Sequence, residues 1–333
     1  MKKFFKILGM IIVAIIVGPI LIGLTMKMFM KDVPPPGKLY DVGGFKLHMD
    51  CRGDNNGMPT IVFESGSGAA TPIYQHLVEN LSKTHRICTY DRAGLAWSEP
   101  SGVPSEIPAI SHQLHALLEA ADVQKPFVLA GHSIAGLFMK DYYNLYPEDV
   151  LAIGFLDASH PDQNESFGFP DDIYDDIMRQ ISMLKTLTRL GLTQLYNPQM
   201  TPDFEEAFPT EIITQLEYFQ LQADKMDSNV NEMLGVDPSM VKTPKNMDLG
   251  NMPVLVVTAG EEMDMSMMPT SVTLTADEFR DVWRELQADH VALSTNSTHI
   301  IMDSANHMSM FTTKSNADMV SDHIRDLVSK TQK

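Results

Sequence analysis

Cysteine is nearly missing from this chain: Cys51 and Cys88 are the only two in 333 residues, and they lack the spacing of metal ligands. Both fall in short apolar stretches read as strands, where a buried free thiol is the default. Basic side chains are scarce once the N-terminus is passed. The first 31 residues hold five lysines and no acid, so the other 302 carry 20 basic and 43 acidic side chains, a net charge of −23 against −18 for the whole chain. Such a surface repels phosphate backbones, which argues against a nucleic-acid partner. It also stands off from anionic lipid, and its plain reading is solubility. There is no internal repeat and no low-complexity tract, so the chain is not read as a repeat array. Methionine is abundant at 24 residues, many between Met226 and Met268. Flexible core and pocket lining is preferred there to copper binding.

One long hydrophobic run is present. Ile7 to Met26 is twenty residues without a charge, preceded by Lys2, Lys3 and Lys6 and followed by Lys27 and Lys31. As a helix it would be about 30 Å long, enough to cross the hydrocarbon core of a bilayer. Pro19 kinks such a span without excluding it. A cleaved signal peptide would have a shorter apolar region ending at a small-residue site, which Gly23-Leu24-Thr25-Met26 does not supply. The expectation is an N-terminal membrane anchor over residues 1–31. The lysine balance puts its N-terminus in the cytoplasm and the globular part outside. Asp32-Val33-Pro34-Pro35-Pro36-Gly37 reads as a stiff spacer, residues 32–37.

From residue 38 to 333 the pattern is that of one large domain. Lys38 to Val42 and Phe45 to Asp50 alternate around Gly43-Gly44, the signature of a β-hairpin. Short apolar strands follow at Thr60–Glu64, Arg86–Asp91, Phe127–Ala130 and Leu151–Asp157. Helical patterns separate them at Tyr74–Ser82, Ile107–Ala121 and Ile134–Leu145. This alternation predicts an α/β fold, a mostly parallel sheet with helices on both faces. From about 163 to 250 the rhythm breaks into an acidic, proline-punctuated, helix-rich stretch, read as a lid inserted between two strands of the sheet. Strands at Pro253–Ala259 and Thr298–Asp303 and helices at Asp277–Leu293 and Asn316–Ser329 complete the domain.

Chemistry is concentrated in Gly131-His132-Ser133-Ile134-Ala135-Gly136, between a strand and a helix. A sharp strand-to-helix turn lifts a serine above the sheet and aims a helix N-terminus at the reacting centre, and small residues flank it because the turn is crowded. Acyl transfer also needs a base, an acid that orients the base, and donors for the developing oxyanion. His307, just past the last strand, stands out as base, whereas His132 points elsewhere along the turn and His299 lies inside a strand. Asp157, ending the strand after the nucleophile helix, and Asp264, in the loop after the next strand, both fit as acid. The amide of Ser67 in Ser65-Gly66-Ser67-Gly68 and that of Ile134 fit an oxyanion hole.

These features together resemble the α/β-hydrolase superfamily, in particular its membrane-anchored bacterial serine hydrolases. The resemblance runs in order through Pro34-Pro35-Pro36-Gly37-Lys38-Leu39, Asp41-Val42-Gly43-Gly44, Tyr90-Asp91-Arg92-Ala93-Gly94, Gly131-His132-Ser133 and Leu156-Asp157-Ala158-Ser159-His160 to the late histidine. It implies an eight-stranded sheet, Ser133 as nucleophile, His307 as base, Ser67 and Ile134 as oxyanion donors, and Asp157 ahead of Asp264 as acid. It further implies that β-hairpin and Cys88 strands adjoin, so that Cys51 and Cys88 can pair. Neither metal nor organic cofactor is implied, and the partner is a small-molecule acyl substrate. Departures fall at Ala135, at Leu95-Ala96 before Trp97-Ser98, and after the histidine from Met308 to Asn316; the last two adjoin the pocket and leave the substrate class open. Relatives with dehalogenase or epoxide-hydrolase chemistry use an aspartate where this chain has Ser133. The expected activity is carboxylic-ester hydrolysis, with amidase, thioesterase and lipase action open; the rival is a non-catalytic, ligand-sensing member of the same fold.

Overall fold

The computed structural model describes residues 2–169, 173–197, 200–240, 242–261, 265, 268 and 272–332. Helix α1 (Lys2–Met28) leads into the hairpin β1 (Lys38–Asp41) and β2 (Lys46–Arg52), closed where Asp41 accepts the N–H groups of Gly43 and Gly44. Then come β3 (Ile61–Glu64), α2 (Gln75–Leu81), β4 (Ile87–Tyr90), α3 (Ile107–Ala120), β5 (Phe127–His132), α4 (Ala135–Leu145) and β6 (Val150–Leu156). The stretch between β6 and β7 carries α5 (Gln163–Ser166), α6 (Ile173–Arg189), α7 (Pro202–Ala207), α8 (Thr210–Gln220) and α9 (Ala223–Met240). Strand β7 (Val254–Ala259), α10 (Ala276–Val291), β8 (Ser297–Met302), α11 (Ser309–Thr312) and α12 (Lys314–Lys330) close the chain.

The eight strands form one sheet in the order β1-β2-β4-β3-β5-β6-β7-β8. Only β2 runs opposite to the common direction of the other seven strands. Alternation along each strand sends side chains to two cores. Val62, Leu129, Ile153 and Val256 pack with Leu114 and Leu117 of α3 and Met139 of α4. Ile61, Phe63, Val128 and Val257 pack on the other face with Leu77 of α2 and Val320, Ile324 and Leu327 of α12. A strand buried on both faces reads as a continuous apolar run, which is why β3, β5 and β7 are legible in the sequence. Parallel pairing brings the C-terminal ends of β3, β5, β6, β7 and β8 to one edge, and that edge carries the candidate site.

Cys51 and Cys88 face each other across the antiparallel β2/β4 pair and are joined by a disulfide. This corrects the default reading of two free thiols. The physical reason is cross-strand register, a relation between strands that neither strand shows alone. The bridge closes a loop of 37 residues in sequence separation, for which chain entropy predicts about 4 kcal/mol of stabilisation. Replacing both cysteines by alanine should lower the unfolding free energy by about 2–4 kcal/mol in chemical denaturation. Reductant should lower the wild type alike and leave the double variant unmoved.

The segment read as a stiff spacer is bonded to the domain. Trp97 Nε1 donates to the Val33 carbonyl at 2.8 Å, Tyr218 of α8 donates to Asp32 at 3.1 Å, and His48 Nε2 lies 2.6 Å from the Pro36 carbonyl. His48 Nδ1 is 2.7 Å from Asp91, so both ring nitrogens face acceptors and suit the protonated ring. Burial opposes that charge, yet the hydrogen bond to Asp91 and its carboxylate prevail, and the His48 pKa is raised. Because the folded value lies above the unfolded one, the contribution is full below about pH 6.5 and is lost as pH rises through the folded value. Wild type should therefore be more stable than His48→Gln by about 1.5–3 kcal/mol at pH 6, with the gap closing towards pH 9 in paired denaturation curves.

Candidate active site

Ser133 follows β5 directly, and α4 begins two residues later at Ala135. Its φ of +59° lies in the left-handed region, a conformation that costs a non-glycine residue about 1–3 kcal/mol and persists only where surroundings impose it. The surroundings are visible. The Ser133 N–H donates to the Leu156 carbonyl at 3.3 Å, and its carbonyl accepts from Ser159 and Gly136 at 2.7 and 3.1 Å. The small residues flanking the turn are in contact: a Cβ added to Gly131 would lie 2.6 Å from that of Ala135. A larger side chain at either position would push α4 off the strand.

Asp157 ends β6, the strand beside β5, and also has positive φ, +47°. Its carboxylate is almost wholly buried, and both oxygens are engaged. Oδ1 accepts the Ala259 N–H at 3.0 Å and the Trp283 indole N–H at 2.7 Å, and Oδ2 lies 2.6 Å from His307 Nδ1. Burial pushes this carboxyl up, but the hydrogen bond and charge of His307, then Trp283 and Ala259, outweigh it and hold the pKa below the usual carboxylate value. His307 lies beyond β8, in the loop before α11. Its ring packs on that of His132, the residue before Ser133, with centroids 4.3 Å apart. Asp157 and His307 are thus paired at the C-terminal edge of β6 and β8, and the His307 ring packs on the residue that precedes Ser133. Among the described residues the Ser133 hydroxyl makes no hydrogen bond; such bonds commonly tighten only when substrate arrives. Asp264 lies outside the described residues.

The loop after β3 lies against the serine turn. A Cβ on Gly66 would come within 3.4 Å of the Ser133 Cβ and 3.2 Å of His132 Nδ1, so a side chain here would press directly on the serine turn. The Gly66 N–H is already used, donating to the Tyr74 hydroxyl at 2.8 Å, and that hydroxyl is 3.1 Å from His132 Nδ1. The next amide, Ser67, and that of Ile134 have no acceptor among the described residues. Among the described residues these two N–H groups are thus unpaired, one directly after Ser133 and one directly after the glycine that packs on it. Among the described residues there is no group of three or more His, Cys, Asp or Glu side chains able to hold a metal ion.

Several contributors escaped sequence reasoning. His132 points neither into solvent nor away from the site: burial, then the proximity of His307, pulls its pKa well down, so it packs as a neutral ring against that of His307. Trp283 of α10 and Tyr74 are ordinary aromatics in sequence and carry no local signal. Glu64, Arg92 and Glu232 form a buried ionic cluster: Arg92 Nη1 to Glu64 is 2.7 Å and Arg92 Nε to Glu232 is 2.6 Å. Tyr90 donates to Glu64 as well, and burial pushes the Glu64 carboxyl up against the pull of Arg92. A signal for part of it existed, since charges directly end the apolar runs of β3 and, two residues on, β4.

Residues 59–193 match the family described as alpha/beta hydrolase fold. With the eight-stranded order already given, this decides the architecture. The protein has the α/β-hydrolase fold. Among solved structures, the Cif epoxide hydrolase of Acinetobacter nosocomialis matches this hydrolase fold with a TM-score of 0.63 at 15% identity, over 94% of this chain and 95% of its own. A bacterial membrane phospholipase A matches with a TM-score of 0.58 at 15% identity over the whole of both chains. At these identities the likeness is one of fold. An uncharacterized protein of Bacillus subtilis, YbdG, is 30% identical over 173 residues, 49% of this chain and 53% of its own length. The chain thus spans about half the length, or less, of the first curated relatives it matches.

Proposed function

We propose that the protein is a membrane-anchored serine hydrolase acting on carboxylic esters. What supports this reading is a serine held at φ +59° directly after His132, whose ring packs on that of His307, together with His307 Nδ1 lying 2.6 Å from a buried carboxylate. In this mechanism His307 Nε2 takes the Ser133 proton as Oγ attacks the ester carbonyl. Asp157 keeps the other proton on Nδ1 and stabilises the imidazolium. The tetrahedral oxyanion is received by the amides of Ser67 and Ile134, the second at the start of α4, where the helix dipole also favours negative charge. Collapse expels the alcohol, protonated by His307, and leaves an acyl group on Ser133. Water activated by the same histidine then releases the acid. A serine in this position supports ester cleavage over epoxide opening, the activity named for one of the solved neighbours.

Anchoring is part of the proposal. Helix α1 is 27 residues long, with a mean hydropathy of 2.9 over its most apolar window, and it leaves Phe4, Phe5, Ile15, Ile16 and Leu21 exposed. Each such side chain at the centre of a span favours insertion by about 0.3–0.6 kcal/mol. The Cys51–Cys88 bridge supports an oxidising side for the domain, in line with the lysine-rich N-terminus facing the cytoplasm. The helices between β6 and β7 overhang the site and act as its lid, with α1 meeting them at the turn Leu192–Gln194.

The test is labelling of the full-length protein in detergent with a fluorophosphonate, alongside turnover of p-nitrophenyl esters of graded chain length. Labelling lost in Ser133→Ala is the expected result. A well-folded wild type that neither labels nor turns over any ester would leave the ligand-binding reading instead.

A further inference from the structure

We propose that Arg92 and Glu232 are positioning residues that make the oxyanion site depend on a seated α9. The inference rests on the reading of Ser67 as an oxyanion donor. Every N–H of the Arg92 guanidinium is engaged. Nη1 donates to Glu64 at 2.7 Å and to the Ser65 carbonyl at 2.8 Å. Nη2 donates to the Gly66 carbonyl at 2.7 Å and to Glu232 Oε1 at 2.8 Å, and Nε donates to Glu232 Oε2 at 2.6 Å. The Phe138 ring lies under the cation at 5.0 Å. Only a planar fork can serve two carboxylates and two carbonyls at once.

The Gly66 carbonyl belongs to the same planar trans peptide as the Ser67 N–H, so the two point in opposite directions. Fixing the carbonyl on Arg92 therefore aims the amide at the other side of the loop. The preceding peptide is held the same way, its carbonyl on Arg92 and its N–H on Tyr74. Gly66 and Gly68 flank Ser67 and offer no intrinsic restraint, so the direction of this amide is imposed from outside.

Glu232 supplies that restraint from the helical insertion, 140 residues from Arg92 in sequence. Its Oε1 also accepts the Gly68 N–H at 3.1 Å. One carboxylate on α9 thus grips the arginine and the loop together. If α9 lifts, Arg92 loses two hydrogen bonds, the loop loses one, and the Ser67 peptide is free to turn. Arg92 stays paired with Glu64, so the cluster remains charge-balanced and the domain keeps its fold while the oxyanion site loosens.

Glu232→Gln in the full-length protein is the decisive variant, because the amide is isosteric and leaves the Arg92–Glu64 pair intact. The kcat for an ester should fall about tenfold with KM within about twofold and the unfolding midpoint close to wild type. Removal of an oxyanion donor outright costs about 10²–10³. A boronic acid that becomes a tetrahedral anion on Ser133 should bind about tenfold more weakly, while a neutral non-reactive ester analogue binds as before. Glu232→Asp, which keeps the charge but shortens the reach, should lie between. Both variants matching wild type in kcat, or altering KM alone, would overturn the inference. A wild type without turnover or labelling would instead sink the hydrolase reading beneath it.

Discussion

Ser133→Ala should lower ester turnover by about 10⁶-fold, to the small acceleration that binding and the oxyanion donors provide without a nucleophile. The removed hydroxyl makes no hydrogen bond among the described residues, and the backbone contacts that hold the turn run through the Ser133 N–H and carbonyl. Alanine keeps those contacts, so the unfolding midpoint should stay within a degree or two of wild type while activity disappears. Steady-state kinetics with one p-nitrophenyl ester, beside a thermal melt of each protein, reads both. Residual activity within a hundredfold of wild type would show that another group is the nucleophile.

Asp157→Asn should cost about 10⁴-fold in kcat, for a reason particular to this site. Two donors, the Trp283 indole and the Ala259 amide, both point at Oδ1. An asparagine there must present its carbonyl oxygen to them, which turns its NH2 group towards His307 Nδ1. A donor facing Nδ1 leaves that nitrogen unprotonated and puts the proton on Nε2, where it cannot accept from Ser133. The variant should fold, bind substrate with an ordinary KM and fail in chemistry. Its ¹⁵N spectrum should report the Nε2–H tautomer of His307. Turnover within tenfold of wild type, together with a large loss in Asp264→Asn, would move the acid to the neighbouring loop.

The two carboxylates illustrate how far the sequence could be read. Both follow parallel strands that end at the same edge, so position alone does not rank them. What distinguishes Asp157 is the convergence of Trp283, Ala259 and His307 upon it, three residues more than 100 positions away along the chain. The sheet was legible because strands buried on both faces leave unbroken apolar runs. Its boundaries were less so: β5 continues through Gly131 and His132, two residues past the end of its apolar run, because the ladder to β6 persists where hydrophobicity stops. The serine turn was legible because it is local, with crowding recorded as Gly131 and Ala135 within a few residues. The ionic cluster around Arg92 was not, because Glu232 reaches it from a segment whose helical pattern gives no sign of where it docks. The Cys51–Cys88 pair was reached only through the family resemblance, since pairing is a property of register that neither strand carries alone.

The bonded linker has a mechanical consequence. With Val33, Pro36 and Asp32 tied to the loop after β4, to β2 and to α8, the proline-rich stretch is held as part of the domain and does not act as a swinging tether. The tethers begin four residues after the end of α1, so the stretch between helix and domain that carries no such bond is short.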